Sequence, residues 1–160
     1  MKLSILIRFV LAAPLLLTPV GQAQSAATAA QFEANKNLVR EFYKNFPANP
    51  EAAAQVLADD YVEHAPRFVE YNQVNHMNGK PGFIQATKSI LGTIGRAGGK
   101  GAPQARVPEL TLAEGDLVTF IWKRSVPESK DSSKYYEAFT FDTYRVKNGK
   151  LAEHWDAGTK

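Results

Sequence analysis

The sequence of 160 residues contains no cysteine. This absence excludes disulfides, zinc–thiolate sites, iron–sulfur clusters and a cysteine nucleophile. A strong excess of one charge is also missing, because 19 lysines and arginines face 16 aspartates and glutamates. The length suits one domain of ordinary size, and the 44% hydrophobic content is typical of a globular chain. We therefore expect a single folded domain that does not depend on cysteine chemistry.

A hydrophobic run long enough to span a membrane is absent as well. Residues 9–17 are apolar, but Pro14 and Pro19 interrupt this region, which falls short of the roughly 20 residues of a membrane span. Lys2 and Arg8 precede the run, and small residues follow it. This order is typical of a secretory signal peptide. We predict a signal peptide at 1–23, a flexible leader at 24–30, and a periplasmic or secreted protein without a membrane anchor.

Removal of residues 1–23 takes away two basic residues and no acidic one. The remaining chain then holds 17 basic and 16 acidic residues, which is close to neutrality. Proteins that bind nucleic acid usually carry a marked basic patch or a high basic excess. We therefore expect no nucleic-acid partner.

The apolar pattern changes its period halfway along the chain. Helical spacing predicts helices near 32–46, 49–57 and 81–92, with a short strand at 61–64 between the second and third. After a glycine-rich loop at 92–103, alternating patterns predict strands at 105–113, 117–126, 134–146 and 150–156. Helices followed by an antiparallel meander indicate an α+β fold, with three N-terminal helices covering one face of the sheet.

Several familiar catalytic motifs are missing. The loop around Gly99-Lys100 lacks the glycine and the serine or threonine that a phosphate-binding P-loop needs. No serine lies in a nucleophile elbow, and the three histidines are not spaced to hold a metal from one helix. We expect neither a metal nor a cofactor.

The last two strands carry the most informative polar residues. Asp142 lies in the middle of a predicted strand, where aspartate is uncommon, and His154 lies on the next strand. A two-residue turn at Asn148-Gly149 places Asp142 opposite Trp155, whereas a three-residue turn places it opposite His154. We favour the three-residue turn, because it pairs a carboxylate with an imidazole on one face and two aromatic rings on the other.

Several short motifs together resemble the SnoaL-like branch of the nuclear transport factor 2-like superfamily. They lie at 38–43, 57–66, 79–83, 115–118 and 141–156, and the segment Glu153-His154-Trp155-Asp156 is the most specific of them. The resemblance implies a domain over 31–160: a cone-shaped, curved antiparallel sheet packed against three helices and enclosing a pocket. It also implies a homodimer formed through the open face of the sheet.

Two positions depart from the ketosteroid isomerases of that superfamily. Ala65 stands where those enzymes carry a carboxylate base, and Phe42 stands near the position of their oxyanion-hole tyrosine, with Tyr43 beside it. We therefore do not expect ketosteroid isomerase activity.

The resemblance and the hairpin together yield the candidate residues. For catalysis they are Asp142, His154 and His64; for substrate binding they are Tyr43, Tyr61, Phe83, Trp122 and Tyr144. Each of these also has a purely structural interpretation: Asp142 can hold His154 or a neighbouring cation, and Trp122 can pack in the core.

Three functions stay open at this point. The first is cofactor-independent acid/base catalysis, such as aldol-type cyclisation, dehydration or isomerisation, on a small apolar or aromatic carbonyl compound. The second is non-catalytic binding of such a molecule in the periplasm. The third is a homodimeric interaction module. The sequence alone does not decide whether the protein is an enzyme.

Overall fold

A computed structural model of the protein describes residues 20–91, 107–129, 131 and 133–156. Four α-helices lie in the first half: α1 (Val20–Asn45), α2 (Pro50–Ala53), α3 (Pro66–Val74) and α4 (Gly79–Ala86). A 3-10 turn, Ala54–Val56, follows α2, and a π-helical turn, Thr87–Leu91, extends α4. No helix within these ranges is long and apolar enough to cross a membrane.

The helices begin where the sequence supplies start signals. Asn49 accepts a hydrogen bond from the backbone N–H of Ala52, and Pro50 occupies the first turn of α2. α3 likewise begins at a proline, Pro66, which was expected to end a strand and not to start a helix. α3 has no fully buried residue, but most of its apolar side chains are partly buried and Phe68 stacks on Phe83 of the core.

Two other expectations about the first half need revision. Residues 24–30, expected as a flexible leader, lie within the helical backbone of α1. The predicted second helix ends at Ala53 and its last residues form the 3-10 turn, so the strand after it starts earlier than expected. Residues 1–19 of the predicted signal peptide, and the glycine-rich loop at 92–103, lie outside the described residues.

Five strands form one curved, unclosed sheet: β1 (Leu57–Glu63), β2 (Leu110–Glu114), β3 (Leu117–Pro127), β4 (Tyr135–Lys147) and β5 (Lys150–Asp156). Their order is β1-β5-β4-β3-β2. β2 to β5 are antiparallel neighbours, as expected, but β1 runs parallel to β5 at the edge of the sheet. This is the α+β cone that the sequence predicted, with one more helix.

The hairpin of β4 and β5 follows neither of the two expected registers along its length. The turn is the two-residue one, with Lys147 opposite Lys150 and positive φ at Asn148 (52°) and Gly149 (70°). A bulge then inserts one extra residue, Ala152, between the pairs Val146–Leu151 and Arg145–Glu153. Beyond the bulge Asp142 lies opposite Asp156, so the expected pairs of Asp142 with His154 and of Phe141 with Trp155 are wrong.

The core lies between α1, α4 and the concave face of the sheet. The buried side chains are mostly aromatic or branched and include Val39, Phe42, Leu57, Phe83, Val118, Phe120 and Leu151. Aromatic rings stack along this interior; Phe42, for example, lies within 6 Å of Phe46, Phe83 and Tyr144. Where the resemblance implies a pocket, the described side chains therefore pack closely against one another.

Candidate functional site

Asp142 lies on the concave face of β4, between Phe120 of β3 and the strand β5. One of its oxygens, Oδ2, accepts hydrogen bonds from the hydroxyl of Tyr43 on α1, at 2.7 Å, and from the indole N–H of Trp122 on β3. The Tyr43 hydroxyl also lies 2.8 Å from that of Tyr144, two residues along β4. With Tyr43 donating to the carboxylate, Tyr144 donates to Tyr43, so a chain of hydroxyls ends on Asp142.

His154 lies between two carboxylates. Its Nδ1 is 2.8 Å from Oε1 of Glu63, and its Nε2 is 3.7 Å from Oδ1 of Asp142. The ring of Tyr144 stacks on the imidazole, with 4.5 Å between ring centroids and 22° between planes. Only 5% of the Glu63 side chain, 12% of the His154 side chain and 21% of the Asp142 side chain are exposed. We call Glu63, His154 and Asp142 the acid–histidine cluster.

The carboxylates decide the charge of the histidine. Burial disfavours the imidazolium, but the adjacent carboxylates of Asp142 and Glu63 outweigh it and raise the pKa of His154 from 6.5 to about 9. In turn, although burial opposes it, His154, Tyr43 and Trp122 together lower the pKa of Asp142. At neutral pH the cluster therefore holds one imidazolium between two carboxylates.

The tyrosines of the site are neutral donors. Burial, with Tyr144 and Asp142 beside it, raises the pKa of Tyr43 well above 10, and burial likewise raises the pKa of Tyr144. Neither hydroxyl is available as a base at neutral pH. Their role in this arrangement is to stabilise the ionised form of Asp142.

The predicted substrate-binding residues divide into two groups. Tyr43, Trp122 and Tyr144 surround Asp142, and their polar atoms are used on it or on one another. Tyr61 donates from its hydroxyl to Oε2 of Glu63 at 2.9 Å, so it supports the other end of the cluster. Phe83, in contrast, packs in the core against Phe42 and Tyr61, away from these polar groups.

His64 is not brought to the cluster. Side chains alternate along β1, so Tyr61 and Glu63 point inwards while His64 lies on the outer face of the sheet. There its ring stacks on Trp155, with 5.0 Å between centroids, and its Nε2 lies 3.4 Å from Glu153. Its side chain is 41% exposed. His64, predicted as a catalytic residue, therefore lies apart from the cluster, and Glu63 occupies the inward position.

Glu63 was missing from the candidates drawn from the sequence. The signal that could have found it is the alternation itself: a buried Tyr61 on a short strand turns residue 63 to the same face. The resemblance drew the prediction to the neighbouring histidine instead.

Two grooves lie on the surface, apart from the cluster. One, of about 380 Å³, lies between α3 and the π-helical turn, and the other, of about 500 Å³, lies beside the start of α2. Neither is lined by a residue of the acid–histidine cluster. In the part of the chain that the structure describes, no group of three or more acidic, histidine or cysteine side chains is arranged to hold a metal ion.

No family model and no curated protein matches the sequence at a significant level. Solved structures do match the fold. An NTF2-like protein of unknown function from Burkholderia pseudomallei is 16% identical, with a TM-score of 0.52, over 79% of this chain and 91% of that one. IdmH from Streptomyces antibioticus, a candidate polyketide cyclase, is 16% identical with the same TM-score, over 76% and 89% of the two chains.

A third similar structure is TerC, which was co-crystallised with polyporic acid. It is 16% identical to this chain, with a TM-score of 0.52, over 79% of this chain and 92% of TerC. At this level of identity the similarity concerns the fold, and function has to be argued from the site. The protein has the nuclear transport factor 2-like fold that its sequence motifs predicted.

Proposed function

We propose that the protein catalyses cofactor-independent acid/base chemistry on a small, uncharged carbonyl compound. The observation that carries this proposal is the pair of unused atoms in the cluster. Among the described residues, Oδ1 of Asp142 receives no hydrogen bond, since Tyr43 and Trp122 both bind Oδ2, and Nε2 of His154 is buried without a partner. A proton acceptor and a charged donor thus face each other 3.7 Å apart.

The two atoms suit the two halves of an enolisation. Oδ1 of Asp142 removes a proton from the carbon beside the carbonyl, and the C–H electron pair forms a C=C bond. The carbonyl π pair moves to oxygen, where Nε2–H of His154 stabilises the negative charge. Return of the proton from Asp142 to another carbon gives isomerisation. Transfer of that proton to a β-hydroxyl, which leaves as water, gives dehydration, and attack on a second carbonyl, whose oxygen then takes the proton, gives aldol-type cyclisation.

We expect a ligand to approach this site from the side of Asp142. It is the most exposed member of the cluster, at 21%, and its partner across the strands, Asp156, is exposed. Glu63 lies at the enclosed end. A ligand therefore meets the proton acceptor first and the histidine next.

The test compares the wild type with Asp142→Asn, both expressed from the full chain. Each is incubated with a small-molecule extract of the source cells, and mass spectrometry follows compounds that are consumed and compounds that stay bound. Asparagine retains the shape but cannot take the proton, so we expect turnover by Asp142→Asn to be at least about 100-fold below that of the wild type. Asp60→Asn, on the exposed side of β1, is the matched control and should retain activity.

A non-catalytic small-molecule-binding protein is the second candidate. It is favoured by the saturation of the tyrosine hydroxyls within the protein and by the predicted signal peptide, since scavenging proteins are often exported. If a compound is retained by both the wild type and Asp142→Asn and is consumed by neither, the protein is a binding protein and the proposed catalysis is wrong.

A further inference from the structure

Glu63 accepts three hydrogen bonds inside the protein. The backbone N–H of Ala65, at 2.9 Å, and Nδ1–H of His154, at 2.8 Å, both donate to Oε1, and the hydroxyl of Tyr61 donates to Oε2. A carboxylate that receives three donors is held in one orientation. With 5% of its side chain exposed, Glu63 does not face a ligand itself.

This arrangement fixes the orientation of His154. The acceptor at Nδ1 requires a proton there, and the stacked ring of Tyr144 restricts rotation of the imidazole. The backbone is held as well, because the carbonyl of His154 accepts from the N–H of His64 at 2.9 Å. Nε2 is therefore the atom left for a ligand, and it is directed at Asp142.

The distance between the unused atoms fits one oxygen. Nε2 of His154 and Oδ1 of Asp142 are 3.7 Å apart, which is too long for a hydrogen bond between them. An oxygen at about 2.8 Å from each atom can bridge the pair. If that oxygen is a hydroxyl or an enol, it accepts from Nε2 and donates to Oδ1.

The charges around this gap select against anions. Glu63 and Asp142 contribute two negative charges and His154 one positive charge, so the cluster has a net charge of −1. Among the described residues, the other titratable groups that face it are Tyr43, Tyr61 and Tyr144, which are neutral, and Asp156, an exposed residue whose partial burial, with Asp142 and Glu63 nearby, raises its pKa. None of these supplies a positive charge for a carboxylate or phosphate ligand.

We propose that Glu63 is the positioning residue of the site, presenting Nε2 of His154 to an uncharged ligand whose hydroxyl or enol oxygen accepts from Nε2 and donates to Oδ1 of Asp142. This inference rests on the proposed function for its reaction. The role of Glu63 itself is a property of the ligand-free protein and is tested without turnover.

The first test is an NMR titration of the imidazole nitrogens of His154. In the wild type both nitrogens are protonated at neutral pH, and the midpoint lies near 9. In Glu63→Gln one carboxylate is lost while the shape is retained, and the midpoint falls by at least about one unit. Glu153→Gln is the matched control: it removes a carboxylate next to His154 in sequence, but on the outer face, and leaves the midpoint unchanged.

Wild-type spectra keep the test decisive even where Glu63→Gln does not fold. Above the midpoint, the neutral imidazole of His154 should carry its proton on Nδ1. A neutral ring at pH 7, a proton on Nε2 in the neutral form, or an unchanged midpoint in a folded Glu63→Gln would each overturn the role of Glu63.

The second test uses two probes of similar shape and different charge, 4-hydroxyacetophenone and 4-hydroxybenzoate. The uncharged ketone should shift the Nε2 signal of His154 at millimolar concentration and bind at least about tenfold more tightly than the benzoate. No shift with the ketone, or tighter binding of the benzoate, would overturn the ligand class. Missing turnover with both NMR results intact would remove the proposed reaction and leave the role of Glu63 standing.

Discussion

His154 carries a positive charge inside the fold, and that charge links stability to pH. Its pKa in the folded protein is about 9, against 6.5 in the unfolded chain, so the folded state holds the proton more tightly. The resulting stabilisation is complete below pH 6.5 and is lost as the pH rises through 9. A shift of this size corresponds to about 3 kcal/mol.

Urea unfolding of the wild type across this range checks the prediction. The free energy of unfolding should fall as the pH rises from 6.5 to 9, whereas His154→Gln, which has no titrating ring, should vary much less. A wild-type free energy that is constant over this interval would contradict a charged His154. Asp142 affects stability at acid pH. Because its pKa is lowered in the folded protein, it contributes stability that is lost as the pH falls below 3.8.

Single residues also show how far the sequence could locate the site. Asp142 and His154 were predicted because a carboxylate and an imidazole inside neighbouring strands are costly unless they are paired. Glu63 was missed and His64 chosen in its place, although one step along a strand reverses the face of a side chain. Residue type alone could not decide between these neighbours; their orientation follows from Tyr61, which is buried.

At the scale of elements, the hairpin of β4 and β5 sets which residues meet. The favoured three-residue turn is wrong, because the turn at Asn148-Gly149 has two residues, and the bulge at Ala152, three residues after Gly149, changes the register again. A bulge is a local irregularity whose cause lies in how the curved sheet packs, so turn chemistry cannot predict it. It leaves Asp142 and His154 on one face, which is why they still come together.

The same hairpin gives a prediction about stability. Gly149 has a φ of 70°, and a Cβ added there meets nothing within 4 Å, so Gly149→Ala introduces backbone strain without a clash. We expect a loss of about 1 kcal/mol in the free energy of unfolding, measured in urea. Asn148→Gly, at a φ of 52°, relieves a strained residue and should be nearly neutral. Equal losses in both variants would contradict this explanation.

The helices show which elements can be predicted from the sequence and which cannot. α1 was predicted because Val39 and Phe42 recur on one face of a helix. Both side chains are fully buried in the structure. α3 was missed because Pro66, its first residue, was interpreted as the end of the preceding strand, whereas β1 ends at Glu63. Phe68 does pack against Phe83 in the core, but α3 is only nine residues long, and so short an apolar face is easily overlooked in sequence.

At the scale of the whole molecule, the outer face of the sheet is unusually apolar. Leu110, Ile121 and Phe141 form one row across β2, β3 and β4, and 55% of Leu110 and 46% of Phe141 are exposed. Phe139 lies next to this row and is 49% exposed. Apolar patches of this kind on a soluble protein mark interaction surfaces. The homodimer expected from the sequence therefore has a candidate interface, which we propose as the contact between two copies.

Sedimentation equilibrium tests that proposal through the double variant Phe139→Glu/Phe141→Glu. If two copies pair through this face, the double variant places four carboxylates in an apolar contact. The dissociation constant of the dimer should then rise at least about 100-fold. Val74→Glu, at a 73% exposed position on α3, adds charge elsewhere and should leave the dimer intact. Because successive residues of a strand face opposite sides, the double variant should also retain the wild-type titration of His154. A monomeric wild type, or a dimer that survives both substitutions, would place the contact elsewhere or remove it.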